Sequence, residues 1–382
     1  MSSAAPEDGS SRRGPTFDAA ALANSATRAL RAYDPGHDLP GLRRRFGRVL
    51  AELGSNENPL GPSPDAIAAI QAALSGIWRY PDPNGGELKG ALATHLGIET
   101  NQITLGNGSH ELLMLIAQCF ADAQSSVVFS EFGFAVFPIA TAAAGAQPIR
   151  VAALPRTHST MPLGHDLDAM AAAVRADTRV VYVANPNNPT GTWFDDGALE
   201  TFLARLPVTT LVVVDEAYHE YVDAPGLSSA LRFCSTYPNL IVTRTFSKAY
   251  ALAGLRIGHA TSSAPIAAIL ERLRESFNAN TLALVAARAA LADHAHVEQS
   301  RTWNTAEREW LAQRLIALGL RVLPSQTNFL LVDFSTDATS TEKALFERGI
   351  IVRPMSGYGL PHCLRISVGT REENERLLEC LQ

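Results

Sequence analysis

From about residue 87 to 262 the chain alternates two textures. Continuous apolar runs recur as SSVVFS (125–130), RVVYVA (179–184), TLVVVDE (210–216) and NLIVTRT (239–245). Val, Ile and Leu follow one another there without a polar residue at every second position, as in strands covered on both faces of a mostly parallel sheet. The stretches between them, such as DLDAMAAAVR and ALETFLARL, space apolar residues three and four apart and predict crossover helices. The pattern predicts a large α/β domain over 76–265.

Beyond 265 the texture changes. A long helical region, from APIAAILERLRESF to LAQRLIALG, leads into NFLLVDF, the helix TEKALFERG, then IIVRP and CLRISVG. Helices with a few short strands predict a smaller α+β domain over 266–382, with the segment 16–75 packed against it. Residues 1–15 are polar and carry Arg12 and Arg13 with no apolar core behind them, so they read as a disordered tail rather than a signal peptide.

Composition narrows the function. With 382 residues, 46% of them hydrophobic, the chain can bury more than one core. A net charge of −6 offers no basic face for phosphodiester backbones, which speaks against nucleic acid. No apolar run reaches membrane-spanning length. Cys119, Cys234, Cys363 and Cys380 lie far apart and form no CxxC pair, as expected of reduced thiols in a cytoplasmic protein. Of 32 Lys and Arg residues only Lys89, Lys248 and Lys343 are lysines. A lysine kept in so arginine-rich a chain is a candidate for chemistry that needs a deprotonated amine. Lys89 and Lys343 sit in helix-like, solvated contexts; Lys248 does not.

Ligands of open α/β sheets bind beyond the carboxyl ends of the strands. RVVYVA is followed by Asn185-Pro-Asn-Asn-Pro-Thr-Gly191, TLVVV by Asp215-Glu-Ala-Tyr218, and NLIVTRT by Phe246-Ser247-Lys248. Each alone has a plain structural explanation: a turn, a helix cap, the start of an exposed helix. Together they bring an amide, a carboxylate, a phenol and an amine to one sheet edge. A fourth strand, in ITLGNGSHELLMLIAQCF (103–120), runs through Gly108 and Ser109 into an apolar-faced helix, a place for a single phosphate at a helix N-terminus. It has neither the triphosphate-loop nor the full dinucleotide signature. Arg256, eight residues past Lys248, can reach the same phosphate.

SKAYALAGLRIG, NPNNPTG, DEAY, SNENPLGPSP and LRISVG resemble the fold-type I pyridoxal-5′-phosphate (PLP) aminotransferases. YDPG, SNENPLGPSP and YPDPNGGELKGAL are similar to the histidinol-phosphate branch. The resemblance runs from about Tyr33 to the C-terminus. It implies an α/β fold-type I architecture, with PLP held covalently by Lys248, which also moves the proton. Asp215 would face the pyridine nitrogen, and Asn188 and Tyr218 the phenolic oxygen. Gly108, Ser109, Thr245, Ser247 and Arg256 would hold the phosphate, and Phe132 would stack on the ring. Tyr80 would reach the phosphate of a neighbouring subunit, implying a homodimer with shared sites. Tyr33, Asn328, Arg353 and Arg365 would bind an amino donor or a 2-oxo acid.

Three positions depart from the family pattern: His110 where an acidic residue is common, Phe132 for a frequent tyrosine, and Glu131 for proline. The resemblance implies transamination of histidinol phosphate with 2-oxoglutarate. The same lysine and aspartate also serve aromatic amino-acid aminotransferases, PLP decarboxylases and oxidases. A regulator built on this fold would need a DNA-binding domain, and about 30 residues before the match are too few for one.

Overall fold

A computed structural model describes residues 17–30, 37–47 and 50–382; the expected tail of residues 1–15 and Tyr33 lie outside the described residues. The strands, in chain order, are β1 (Ala51–Glu52), β2 (Ile103–Gly106), β3 (Ser126–Ser130), β4 (Gln147–Val151), β5 (Thr178–Ala184), β6 (Leu211–Asp215), β7 (Leu240–Thr245), β8 (Gly258–Thr261), β9 (Arg321–Val322), β10 (Phe329–Asp333), β11 (Ile350–Ile351), β12 (Arg353–Pro354) and β13 (Cys363–Ser367).

Seven of them form one sheet in the order β2-β8-β7-β6-β5-β3-β4. β3 to β7 run parallel, and β8 is antiparallel to both β2 and β7. The apolar runs are continuous because alternate residues face opposite helical layers. In β6, Val213 packs with Leu112, Ile116 and Phe137, whereas Val212 and Val214 pack with Leu199 and Phe202. Each fully buried Val or Ile contributes about 1.5–3 kcal/mol, so a one-residue slip would be costly on both faces.

β4 and β8 escape the apolar-run reading for different reasons. β4 (QPIRV) is an edge strand whose polar positions face solvent, and an edge tolerates its Pro148. β8 (GHAT) carries no apolar run, yet it lies inside the sheet. A Cβ at Gly258 would lie 2.6 Å from the Arg244 carbonyl oxygen and 2.9 Å from the backbone between Gly108 and Ser109. Only glycine lets those three backbones meet.

The second sheet is antiparallel, in the order β12-β13-β10-β9, and β1 pairs with β11 in a separate parallel ribbon. Ala51 and Leu53 join Leu311, Leu330, Ile366 and Leu377 in its core. The expected small domain of 266–382 loses its first helices to the large layer. Ile266 and Leu270, in the helix Ala264–Leu273, pack on the large sheet. The helix Thr281–Ala292 buries Ala283, Leu284 and Ala287 against Leu88, Ile103 and Phe246, with Ala66 from the helix Pro64–Ala73. The segment 16–75 is therefore divided between the two cores. Flat, alanine-rich faces allow this close packing. Asn280 and Asp293 break the long helical region, each accepting from the backbone N–H three residues on.

Candidate active site

The carboxyl ends of β2, β5, β6 and β7 lie on one edge of the large sheet, and β8 begins there because it runs the other way. Above that edge a cavity of about 270 Å³ is closed by Gly54–Glu57 and by Arg353 and Arg365 of the small sheet.

One end of the cavity is built for an anion. Ser109, in the first turn of the 13-residue helix Gly108–Phe120, faces Ser247 and Arg256. Arg256 donates from Nη1 to Ser247 Oγ at 3.1 Å and from Nη2 to the Asn107 carbonyl at 3.3 Å. Thr245 Oγ1 donates to Ser247 Oγ at 2.9 Å. Gly108 lies at φ +78°, and a Cβ there would sit 2.7 Å from Arg256 Nη2. Glycine thus opens the cradle, and hydroxyls, a guanidinium and helix N–H groups supply donors suited to one phosphate.

Asp215 and Lys248 carry the largest electrostatic perturbations in the cavity. Burial pushes the Asp215 carboxyl up to about 7, although Thr243 Oγ1 donates to it at 3.0 Å. Burial, then Arg365, brings the Lys248 ammonium down to about 7, while Glu57 and Asp215 pull it back up. Lys248 Nζ donates to the Ser55 carbonyl at 3.1 Å. An amine losing its proton near pH 7 can attack a carbonyl, which an exposed lysine cannot do at that pH.

The remaining wall ties the two sheets together. Tyr218 accepts at its hydroxyl from Asn56 Nδ2 at 2.9 Å, and burial pushes its phenol up to about 12. Arg365 Nη1 donates to Asn188 Oδ1 at 2.7 Å and Nη2 to the Gly54 carbonyl at 2.8 Å.

Ten of the predicted residues thus line one cavity: Ser109, Asn188, Asp215, Tyr218, Thr245, Ser247, Lys248, Arg256, Arg353 and Arg365. Three others sit elsewhere. Asn328 does not face the cavity; its Nδ2 donates to the Asn56 carbonyl at 3.0 Å and the Glu57 carbonyl at 3.2 Å, so it props the wall from behind. Phe132 is buried among Leu163, Leu331 and Met355, its carbonyl accepting from Asn187 Nδ2 at 2.8 Å. The phenylalanine that lines the cavity is Phe134, two residues on. Tyr80 is 82% exposed and stacks on Phe277 at 4.8 Å. His110, singled out as a departure, lines the cavity; burial, then Arg256, holds its imidazole below the usual value. Glu57 is a further lining residue, and the SNENP motif was its signal.

A lysine, a buried carboxylate and an anion cradle at the strand ends of a doubly covered sheet place the molecule in a class. The chain belongs to the class I and II aminotransferases: the family described as aminotransferase class I and II matches residues 48–381. Within that family it is 49% identical over 367 residues to histidinol-phosphate aminotransferase 2 of Pseudomonas aeruginosa, covering 95% of this chain and 98% of that one. Histidinol-phosphate aminotransferase 1 of Nitrosococcus oceani is 48% identical over 362 residues, covering 94% and 96%. The crystal structure of histidinol-phosphate aminotransferase from Sinorhizobium meliloti in complex with pyridoxal-5′-phosphate superposes with a TM-score of 0.81 at 34% identity, covering 94% of this chain and 95% of that one.

Proposed function

We propose that this chain transfers the amino group of histidinol phosphate to 2-oxoglutarate, using PLP, in histidine biosynthesis. The observation that carries the reading is that Lys248 and Asp215 line one cavity with the Ser109, Ser247 and Arg256 cradle. Relatives at 48–49% identity named histidinol-phosphate aminotransferase support its amino donor.

The residues fit the cofactor. Gly108 leaves open the space a Cβ would fill, beside Arg256, and the buried Asp215 carboxyl, raised to about 7, is matched to a protonated ring nitrogen. Ser109, Ser247 and Arg256 would hold the phosphate, Asn188 and Tyr218 the phenolic oxygen, and Phe134 the ring face. PLP, when bound, supplies the electron sink that makes the substrate Cα–H acidic. Lys248 would accept that proton at Nζ and give it back, Asp215 would keep the ring nitrogen protonated, and Tyr218 and Asn188 would hold the phenolic oxygen. Arg365 and Arg353 would orient the acidic end of either substrate.

We further infer a homodimer. Ile77, Trp78 and Tyr80 form a run of exposed apolar side chains, a surface a second copy would cover. Its four cysteines are unpaired, in keeping with the reducing cytoplasm, and no helix among the described residues is long and apolar enough to cross a membrane.

The test is a panel of amino donors assayed against 2-oxoglutarate and followed through the cofactor's absorbance. Histidinol phosphate is expected to give the highest kcat/KM. Turnover of aromatic amino acids with none of histidinol phosphate would reject the substrate assignment.

A further inference from the structure

We propose that Glu57 is a positioning residue for Lys248, the carboxylate that keeps the lysine nitrogen able to carry a proton while the substrate is being processed. The inference rests on the cofactor reading above.

Glu57 lines the same cavity as Lys248, two residues beyond the Ser55 carbonyl that accepts the Lys248 hydrogen bond at 3.1 Å. The segment bearing it is held from several sides. Ser367 Oγ accepts from Asn56 N–H at 2.8 Å, Asn328 binds the carbonyls of Asn56 and Glu57, and Asn58 Nδ2 donates to the carbonyl of Ala249, next to the lysine, at 2.9 Å. The backbone that carries the carboxylate is thereby fixed beside the lysine.

Glu57 and Asp215 are carboxylates that favour the charged form of Lys248, and Arg365 and Arg256 are cations that oppose it; Arg353 and His110 line the same cavity, and the Tyr218 ring lies 5.8 Å from Nζ. On its other side Glu57 faces Glu52 and Arg43. With the cofactor and substrate bound as proposed, three of these charges would be matched elsewhere: Asp215 by the ring nitrogen, Arg256 by the phosphate and Arg365 by the acidic end of the substrate. Glu57 is then the carboxylate left to the lysine. A proton taken up by Lys248 creates an ammonium in a cavity lined by guanidinium groups, and an opposite charge lining the same cavity offsets that cost. The influence is mutual: burial and Glu52 drive the Glu57 carboxyl upward, while Lys248 opposes them.

The experiment uses purified, PLP-loaded wild type, Glu57→Gln and Glu57→Asp. The cofactor's visible band is titrated with pH, and kcat/KM is profiled over the same range. Removing the negative charge disfavours the protonated lysine nitrogen, so the midpoint should fall by about 1 pH unit in Glu57→Gln. Glu57→Asp, which draws the charge back by one methylene, should fall by less. Should Glu57→Gln not fold, the smaller shift in Glu57→Asp decides the matter. An intact yellow band whose midpoint and rate profile match wild type in the folded variants overturns the role of Glu57. A wild-type protein with no such band overturns the cofactor reading instead.

Discussion

Arg365, in β13, donates from Nη1 to Asn188 Oδ1 at 2.7 Å, joining the small sheet to the loop after β5 across 177 positions of sequence. The guanidinium is thereby aimed into the cavity before any substrate arrives, and Phe329 supports it, its ring centroid 5.3 Å from the guanidinium carbon. Arg365→Gln is expected to raise KM for acidic substrates about 10–100-fold, since hydrogen bonds to a charged group contribute about 1.5–3 kcal/mol each. Arg365→Lys should recover only part of this, because an ammonium cannot span Asn188, Gly54 and an acid at once. Steady-state kinetics with kcat resolved from KM checks it; a loss confined to kcat would place the arginine outside substrate binding.

Lys248 gives a sharper test. Its replacement by alanine should lower transamination on the order of 10³-fold or more and abolish the borohydride-fixed cofactor adduct at that position. In wild-type apoprotein the rate of cofactor capture should rise as pH passes about 7, where the amine sheds its proton. Stopped-flow mixing with PLP at several pH values measures this, and a capture rate climbing only near pH 10 would mean that the cavity leaves the amine unperturbed.

Asp215 predicts a pH-dependent stability. Its folded-state carboxyl, at about 7, holds a proton that the unfolded chain has already lost above pH 4. The folded apoprotein binds more protons over that interval, so its stability falls as pH rises from about 4 to about 7. Asp215→Asn removes the titration. Its apoprotein should lose less melting temperature between pH 5 and pH 8 than wild type, while activity drops about 10²-fold. Equal slopes in the two apoproteins would contradict the burial argument.

The legible parts of the molecule are those whose physics is local. Uninterrupted Val and Ile runs marked β5, β6 and β7 because burial on both faces needs nothing else, and the polar residues just past them fell into one cavity. β8 was silent because Gly258, His259 and Thr261 are there for what they approach, not for their own hydropathy. Asn328 shows a similar limit. Family motifs name a residue type at a place, whereas which way its side chain turns depends on neighbours far along the chain.

Phe132 and Phe134 separate these two kinds of information. With Phe132 packed among Leu163, Leu331 and Met355, Phe132→Ala should cost about 3–5 kcal/mol of stability and leave the cofactor spectrum nearly unchanged. Phe134, on the cavity wall, should behave the other way: Phe134→Ala weakens PLP binding and shifts the absorbance maximum, with a smaller change in melting temperature. Thermal melts and spectral titrations on the two proteins decide the assignment; a larger spectral effect from Phe132→Ala would restore that residue as the stacking ring.

The shared-site dimer can be examined by mixing two defective proteins. Tyr80 is 82% exposed and its ring stacks on Phe277, so within one subunit most of it is left to solvent. If it completes the phosphate cradle of a neighbour, Tyr80→Ala should bind PLP weakly, and Lys248→Ala should be inert. A mixed dimer then carries one site with both lesions and one with neither. Random reassembly of equal amounts makes half the dimers mixed, so about a quarter of the sites regain full function. Unfolding and refolding the two variants together, and assaying against each refolded alone, reads this directly. Sites built wholly within one subunit would yield no recovery, because every site would keep a lesion of its own.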